Sequence, residues 1–214
     1  MNAALLRRLK RLAARLNERL GAEALPPGLE PRLTALLEEW ERLAPQAEAP
    51  GAAEAAEAGP LVDADAPPLR TGSAIRVWCD GSCAPNPGPG GWGAIVEQDG
   101  RRRELSGAAP ASTNNIMEMT AAIEALRLTP EGAQVHVTTD SRYLMDGITR
   151  WLPGWKRKGW RKSDGKPVLN QPLWVALDAL VQPRRVRWEW VEGHTGHPEN
   201  ERCDALANAA RRGR

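Results

Sequence analysis

The 214-residue chain has no phenylalanine, one tyrosine, three histidines and three cysteines. Cys79, Cys83 and Cys203 are odd in number and lack metal-ligand spacing. That argues against a disulfide framework and fits reduced thiols in a cytoplasmic protein. No stretch approaches the roughly 18 apolar residues of a membrane span. The N-terminus is arginine-rich, but no serine precedes Ser73 and there is no apolar core of a signal, so no targeting segment is expected. A large net charge is missing too, the total being +2.

What is present is unevenly placed. Residues 1–20 carry six Arg/Lys against one Glu, residues 21–70 three against ten acids, and residues 150–166 seven against one Asp. A mild total with one concentrated basic stretch suggests a surface that faces a polyanion. Arginine outnumbers lysine 24 to 5, a bias that reads as GC-rich coding and says nothing of function.

Leu5, Leu9, Leu12, Leu16 and Leu20 recur at helical spacing up to Gly21, and Leu33, Leu36, Leu37, Trp40 and Leu43 do so between Pro31 and Pro45. Residues 1–44 are therefore expected to be an amphipathic helical extension, and the Ala/Pro/Glu-rich 45–72 a linker. From Ile75 the texture changes. Strands are expected at Ile75–Cys79, Gly91–Gln98 and Arg101–Ser106 (a hairpin about Asp99-Gly100), Gln134–Thr139 and Val186–Val191. Helices are expected at Asn114–Leu128, Ser141–Arg150, Pro172–Val181 and Pro198–Ala210, leaving Trp151–Leu169 as a basic, tryptophan-rich segment. An antiparallel run followed by strand–helix alternation gives an α/β fold with a five-stranded mixed sheet flanked by helices.

Four carboxylates fall where these elements meet loops or lie in helices: Asp80 at the end of the first strand, Glu118 in the first turns of a helix, Asp140 at the end of the fourth strand and Asp204 inside the last helix. A bare carboxylate cluster repels itself, and divalent cations relieve that repulsion. Oxygen-only ligands select Mg²⁺, with Mn²⁺ as a substitute. Any one of these residues alone reads as readily as a turn or helix cap.

The stretches Asp80-Gly-Ser-Cys-Ala-Pro-Asn-Pro-Gly-Pro-Gly-Gly-Trp-Gly-Ala, Thr113-Asn-Asn-Ile-Met-Glu-Met, Thr139-Asp-Ser-Arg-Tyr and Gly193-His-Thr-Gly-His-Pro-Glu-Asn-Glu-Arg-Cys-Asp resemble those of bacterial type 1 ribonuclease H, over roughly residues 73–212. The resemblance implies a catalytic domain of that fold and an endonuclease that hydrolyses the RNA strand of RNA–DNA hybrids, giving 5′-phosphate and 3′-hydroxyl products. It implies that Asp80, Glu118, Asp140 and Asp204 hold two Mg²⁺ during catalysis, and that His194, in a glycine-flanked loop, assists proton movement or product release. It also implies that the Cys83–Asn86 loop and Glu118 meet RNA 2′-hydroxyls, while Asn86, Thr113 and Asn114 meet the DNA strand. Asn114 also reads structurally as a helix N-cap, a role compatible with the first.

Trp151, Trp155 and Trp160 interleave with Lys156, Arg157, Lys158, Arg161 and Lys162, where the family's basic protrusion lies. Indoles against sugars and cations against phosphates suit a hybrid-binding surface. Trp155 is expected to be partly core, and Trp78, Trp174, Trp188 and Trp190 to pack the interior. His136, within a strand, and His197, just before the last helix, read as structural. The first 70 residues lie outside the resemblance, and their single aromatic, Trp40, does not fit the family's N-terminal hybrid-binding module. The basic helix there is left open between binding nucleic acid, docking a protein and doing neither. A hybrid-binding protein with a degenerate site and an integrase-like polynucleotidyl transferase are the rival readings. A monomer is expected.

Overall fold

The computed structural model describes residues 68–213. The helices expected within 1–44, and residues 45–67 of the expected linker, lie outside them.

Five strands form one mixed sheet in the order β3-β2-β1-β4-β5. They are β1 Ile75–Cys83, β2 Gly88–Gln98, β3 Arg101–Ser112, β4 Gln134–Thr139 and β5 Arg185–Trp190. β1, β2 and β3 pair antiparallel, whereas β4 runs parallel to both β1 and β5. The helices are α1 Asn114–Leu128, α2 Arg142–Asp146, α3 Leu152–Arg157, α4 Gln171–Val181 and α5 Pro198–Arg211, with a π-helical turn at Gly147–Trp151.

The hairpin strands are longer than their apolar runs suggest. β1 continues through Cys83 because Gly81, Ser82 and Cys83 keep pairing with Trp92, Gly91 and Gly90. Asp80 therefore lies within a strand and not at its end, a correction to the expected placement. Glycine and serine there are weak strand formers, and only the partner strand makes them extended. The single helix expected over 141–150 becomes α2 and the π turn, and α3 follows within the segment for which no helix was expected. Pro153 has no N–H to donate, and Leu152 N–H reaches back five residues to the Gly147 carbonyl.

Ile75, Val77, Val135, Val137, Leu126 and Trp174 are fully or almost fully buried in the core on the α1 and α4 side of the sheet. Of the four tryptophans expected in the interior, only Trp174 is fully buried; Trp78, Trp188 and Trp190 keep part of their surface exposed. Trp78 carries the Arg76 guanidinium 5.5 Å above its ring. His136, in β4, places Nε2 2.9 Å from Glu189 Oε2 on β5. At the N-terminal margin Leu69 packs on the core, and Gln98 exchanges hydrogen bonds with the Arg70 backbone (2.8 and 2.6 Å).

Three glycines set the positions of α1 and α5. A Cβ on Gly81 would collide with Glu118 N and the Met117 carbonyl carbon, so α1 lies hard against one face of β1. On the other face, a Cβ on Gly91 or Gly93 would strike the Ala207 or Cys203 carbonyl oxygen of α5. Asp80 is the cross-strand partner of Gly93, so it stands on the α5 face, one residue from where α1 touches the strand.

Candidate active site

Asp80, Glu118, Asp140 and Asp204 come from β1, α1, the end of β4 and α5. Asp80 is 8% exposed, and its nearest donor is the Gly81 backbone N–H, 2.7 Å from Oδ1. Burial pushes the Asp80 carboxyl up to about 8; repulsion from Asp140, then Asp204 and Glu118, adds to the rise, and the Gly81 hydrogen bond offsets part of it. Glu118 is also raised, chiefly by burial and secondarily by Asp140, with the Ser141 hydroxyl opposing. All four carboxylates thus lie within electrostatic reach of one point beside β1.

Each carboxylate is held by one donor. Ser141 Oγ, which also caps α2 by accepting from Leu144 N–H (3.1 Å), donates to Glu118 Oε2. Asn200 Nδ2 donates to Asp140 Oδ2 (2.9 Å), and Asn208 Nδ2 donates to Asp204 Oδ1 (2.8 Å). Trp190 Nε1 donates to the Asp140 carbonyl (2.9 Å), tying the end of β4 to β5. A Cβ on Gly193 would lie 2.6 Å from Asp140 Oδ2, so the loop before α5 needs glycine there. Ser141, Asn200, Asn208 and Trp190 were not singled out as site residues from sequence. Asn208 had a signal, its spacing of one turn from Asp204; the others depend on contacts between distant segments.

Among the described residues no three carboxylate, imidazole or thiol groups already converge in ion-coordinating geometry. The donor chemistry nonetheless fits a hard divalent cation. Each hydrogen bond takes one carboxylate oxygen and leaves the other to an ion, and mutual repulsion raises the affinity for positive charge. The buried Asn200 Oδ1 has no hydrogen-bond partner and adds a neutral oxygen beside Asp140.

His194 is not brought onto the carboxylates by any hydrogen bond. It sits exposed at φ 58° in a loop fastened by Thr195 Oγ1 to the Glu192 carbonyl (2.7 Å) and by Gly196 N–H to Glu201 Oε1 (3.1 Å). His197 precedes α5 without a side-chain cap, and its carbonyl accepts from Glu201 N–H at 3.0 Å.

The nucleic-acid candidates form two groups. Next to the carboxylates, Cys83 N–H donates to Asn114 Oδ1 (2.7 Å) and Asn114 N–H to Asn86 Oδ1 (3.2 Å), joining the β1–β2 loop to the start of α1. The N-cap is Thr113, whose hydroxyl accepts from Ile116 N–H (3.3 Å); Asn114 is the first helical residue, which corrects the alternative reading of it as a cap. Burial raises the half-buried Cys83 thiol, partly opposed by Ser112 and Arg211. The second group spans the π turn to the following loop. Trp151 is 39% exposed, whereas Trp155 and Trp160 pack partly on the core. The rings of Trp151, Trp155 and Trp174 follow one another in tilted contact, with centroids 5.7 and 5.4 Å apart. Lys156 Nζ pairs with Asp178 at 2.8 Å, and Arg161 donates to the Gly165 carbonyl at 2.9 Å. Arg157, Lys158 and Lys162 are exposed.

No helix among the described residues is long and apolar enough to cross a membrane. The family model for RNase H matches residues 72–212. The ribonuclease H of Thiobacillus denitrificans is 56% identical over 138 residues, covering 64% of this chain and 93% of that protein. That of Pelobacter propionicus is 49% identical over 145 residues, covering 68% and 89%. The crystal structure of LC9-RNase H1, a type 1 RNase H with the type 2 active-site motif, matches with a TM-score of 0.60 at 37% identity, over 70% of this chain and 75% of that one. With the carboxylates, their strands and helices and these relatives in agreement, the chain belongs to the RNase H family and is an enzyme, a bacterial type 1 ribonuclease H.

Proposed function

We propose that the enzyme hydrolyses the RNA strand of RNA–DNA hybrids by two-metal-ion catalysis at Asp80, Glu118, Asp140 and Asp204, leaving 5′-phosphate and 3′-hydroxyl ends. The observation that carries this reading is the meeting of four carboxylates from four elements, close enough that three of them raise the proton affinity of the fourth. When bound, two Mg²⁺, or Mn²⁺ in their place, lower the proton affinity of the attacking water and neutralise charge on the leaving oxygen. Asp80, the most buried, would help hold both ions; Asp204 would help hold the one that activates the nucleophile, and Glu118 and Asp140 the one that stabilises the leaving group. His194, exposed on its glycine-flanked loop, accepts or passes on a proton at the cleavage site and eases product release.

Substrate choice is assigned to the loop and helix start next to the carboxylates. Asn86, Thr113 and Asn114 meet the DNA strand, while the Cys83 loop and Glu118 meet RNA 2′-hydroxyls. Trp151, with Arg157, Lys158 and Lys162, takes the sugar–phosphate backbone farther along. Trp155 and Trp160 support that surface from below, and Lys156 and Arg161 contribute from their places beside Asp178 and Gly165. The enzyme acts as a cytoplasmic monomer on this reading, with residues 1–44 free to contact nucleic acid or a protein. Release of acid-soluble label from hybrid, duplex DNA and duplex RNA, with and without Mg²⁺, tests the proposal. Cleavage of hybrid alone, and only with the cation, is the expected result. Retention of hybrid without cleavage would favour the degenerate binding protein.

A further inference from the structure

We propose that Asn208 is the positioning residue of the Asp204 carboxylate, holding it at a set separation from Asp80 by bridging α5 to β1. The inference rests on the reading of Asp204 as an ion-holding carboxylate.

Asn208 lies one helical turn beyond Asp204 and donates from Nδ2 to Asp204 Oδ1 at 2.8 Å. Its own Oδ1 accepts from Ser82 Oγ at 3.3 Å and from the Arg211 guanidinium at 3.1 Å. A guanidinium can only donate, so the amide oxygen must face Arg211 and the NH₂ must face the carboxylate. Ser82 is two residues beyond Asp80, on the same face of β1, and its cross-strand partner is Gly91 as that of Asp80 is Gly93. Those two glycines are the ones on which the Ala207 and Cys203 carbonyls rest. One helical turn rises about 5.4 Å, and two strand residues advance about 6.7 Å. The pair Asp204/Asn208 therefore runs alongside the pair Asp80/Ser82, one ladder rung each.

The physical need for such a brace is repulsion. Asp80 and Asp204 face each other across the contact of α5 with Gly93, so whenever both are ionised with no cation between them they repel. A carboxylate free to rotate away must be brought back when an ion binds, and that lowers the affinity. Partners that orient metal ligands typically account for about 10–100-fold in metal affinity or activity.

The test uses the full chain and follows the rise in Tm on adding Mg²⁺ alone, with no nucleic acid. N208A is expected to raise the Mg²⁺ concentration giving half the rise by about tenfold and to lower kcat at limiting Mg²⁺, with KM for hybrid unchanged. N208Q, which restores an NH₂ donor, is expected to recover part of the loss. If N208A does not fold, S82A removes the other anchor without touching Asp204 and should shift the same midpoint in the same direction. An unshifted midpoint in a folded N208A, or in S82A where N208A is unfolded, overturns the proposal. D204N separates the two failures: an unchanged midpoint in D204N overturns the reading of Asp204 itself, whereas a shift in D204N with none in N208A overturns the positioning role alone.

Discussion

Asp80 combines burial with three acidic neighbours, which ties the charge of its carboxyl to folding. In the folded, metal-free protein its carboxyl titrates near 8 against an ordinary value of 3.8. The folded state therefore binds that proton more tightly than the unfolded chain. The resulting stabilisation is complete below about pH 4 and is lost as pH rises toward 8, an upper limit on the order of 5 kcal/mol. The Tm of the metal-free enzyme should fall between pH 5 and 8 relative to D80N, and Mg²⁺ should restore it; parallel Tm curves would contradict this. The same substitution, and equally E118Q and D140N, should lower hydrolysis by orders of magnitude while hybrid binding persists, each factor of ten being about 1.4 kcal/mol of barrier. Wild-type turnover by D80N at saturating Mg²⁺ would remove Asp80 from the site. His194, exposed and without a hydrogen bond to the carboxylates, should matter less: H194A is expected to slow turnover by about 10²-fold at most, with metal dependence retained, because bound cations share its role.

At the scale of elements, the proposed function gives the basic segment and the start of α1 separate shares in holding nucleic acid. Lys156 is already paired with Asp178, so neutralising it alone should change little, an exposed pair being worth about 1 kcal/mol or less. Arg157 and Lys158 are exposed, and R157A/K158A should raise KM for hybrid more than it lowers kcat, since charges that meet phosphate equally in ground and transition states act as uniform binding. The slope of log affinity against log salt should flatten by up to about 1.8, at roughly 0.9 per phosphate contact. An unchanged slope would place the backbone elsewhere. Trp155→Ala should lower Tm as well as affinity, because its ring lies against fully buried Trp174.

At the scale of the whole molecule, the described residues share one core around a single sheet. Leu69 and the Arg70–Gln98 hydrogen bonds belong to it, so a fragment beginning at Pro68 should fold and cleave hybrid in Mg²⁺. Its 147 residues are a comfortable size for one core. Should the +5 segment at residues 1–20 hold nucleic acid, the fragment should bind hybrid more weakly than the full chain mainly at low salt; should it dock a protein, the two should have the same kinetics at every salt concentration. An insoluble or inactive fragment beside an active full chain would mean that the leucine-rich residues 1–44 are needed for the core.

The sequence by itself determined the order of the strands along the chain and the mixed sheet, and it singled out the four candidate carboxylates, because each depends on local periodicity or on a motif spanning a few residues. Asn114–Leu128 and Gln134–Thr139 could be read to the residue for that reason. Pairing partners decided the rest. Gly81, Ser82 and Cys83 are extended only because β2 continues beside them, and Trp190 serves as a strut for Asp140 only because β5 lies next to β4. The braces on the carboxylates, Ser141 on Glu118, Asn200 on Asp140 and Asn208 on Asp204, are hydrogen bonds a few ångströms long. Two of them join segments 23 and 60 residues apart, a separation that no local pattern records and that only the packing of α1 and α5 onto β1 closes.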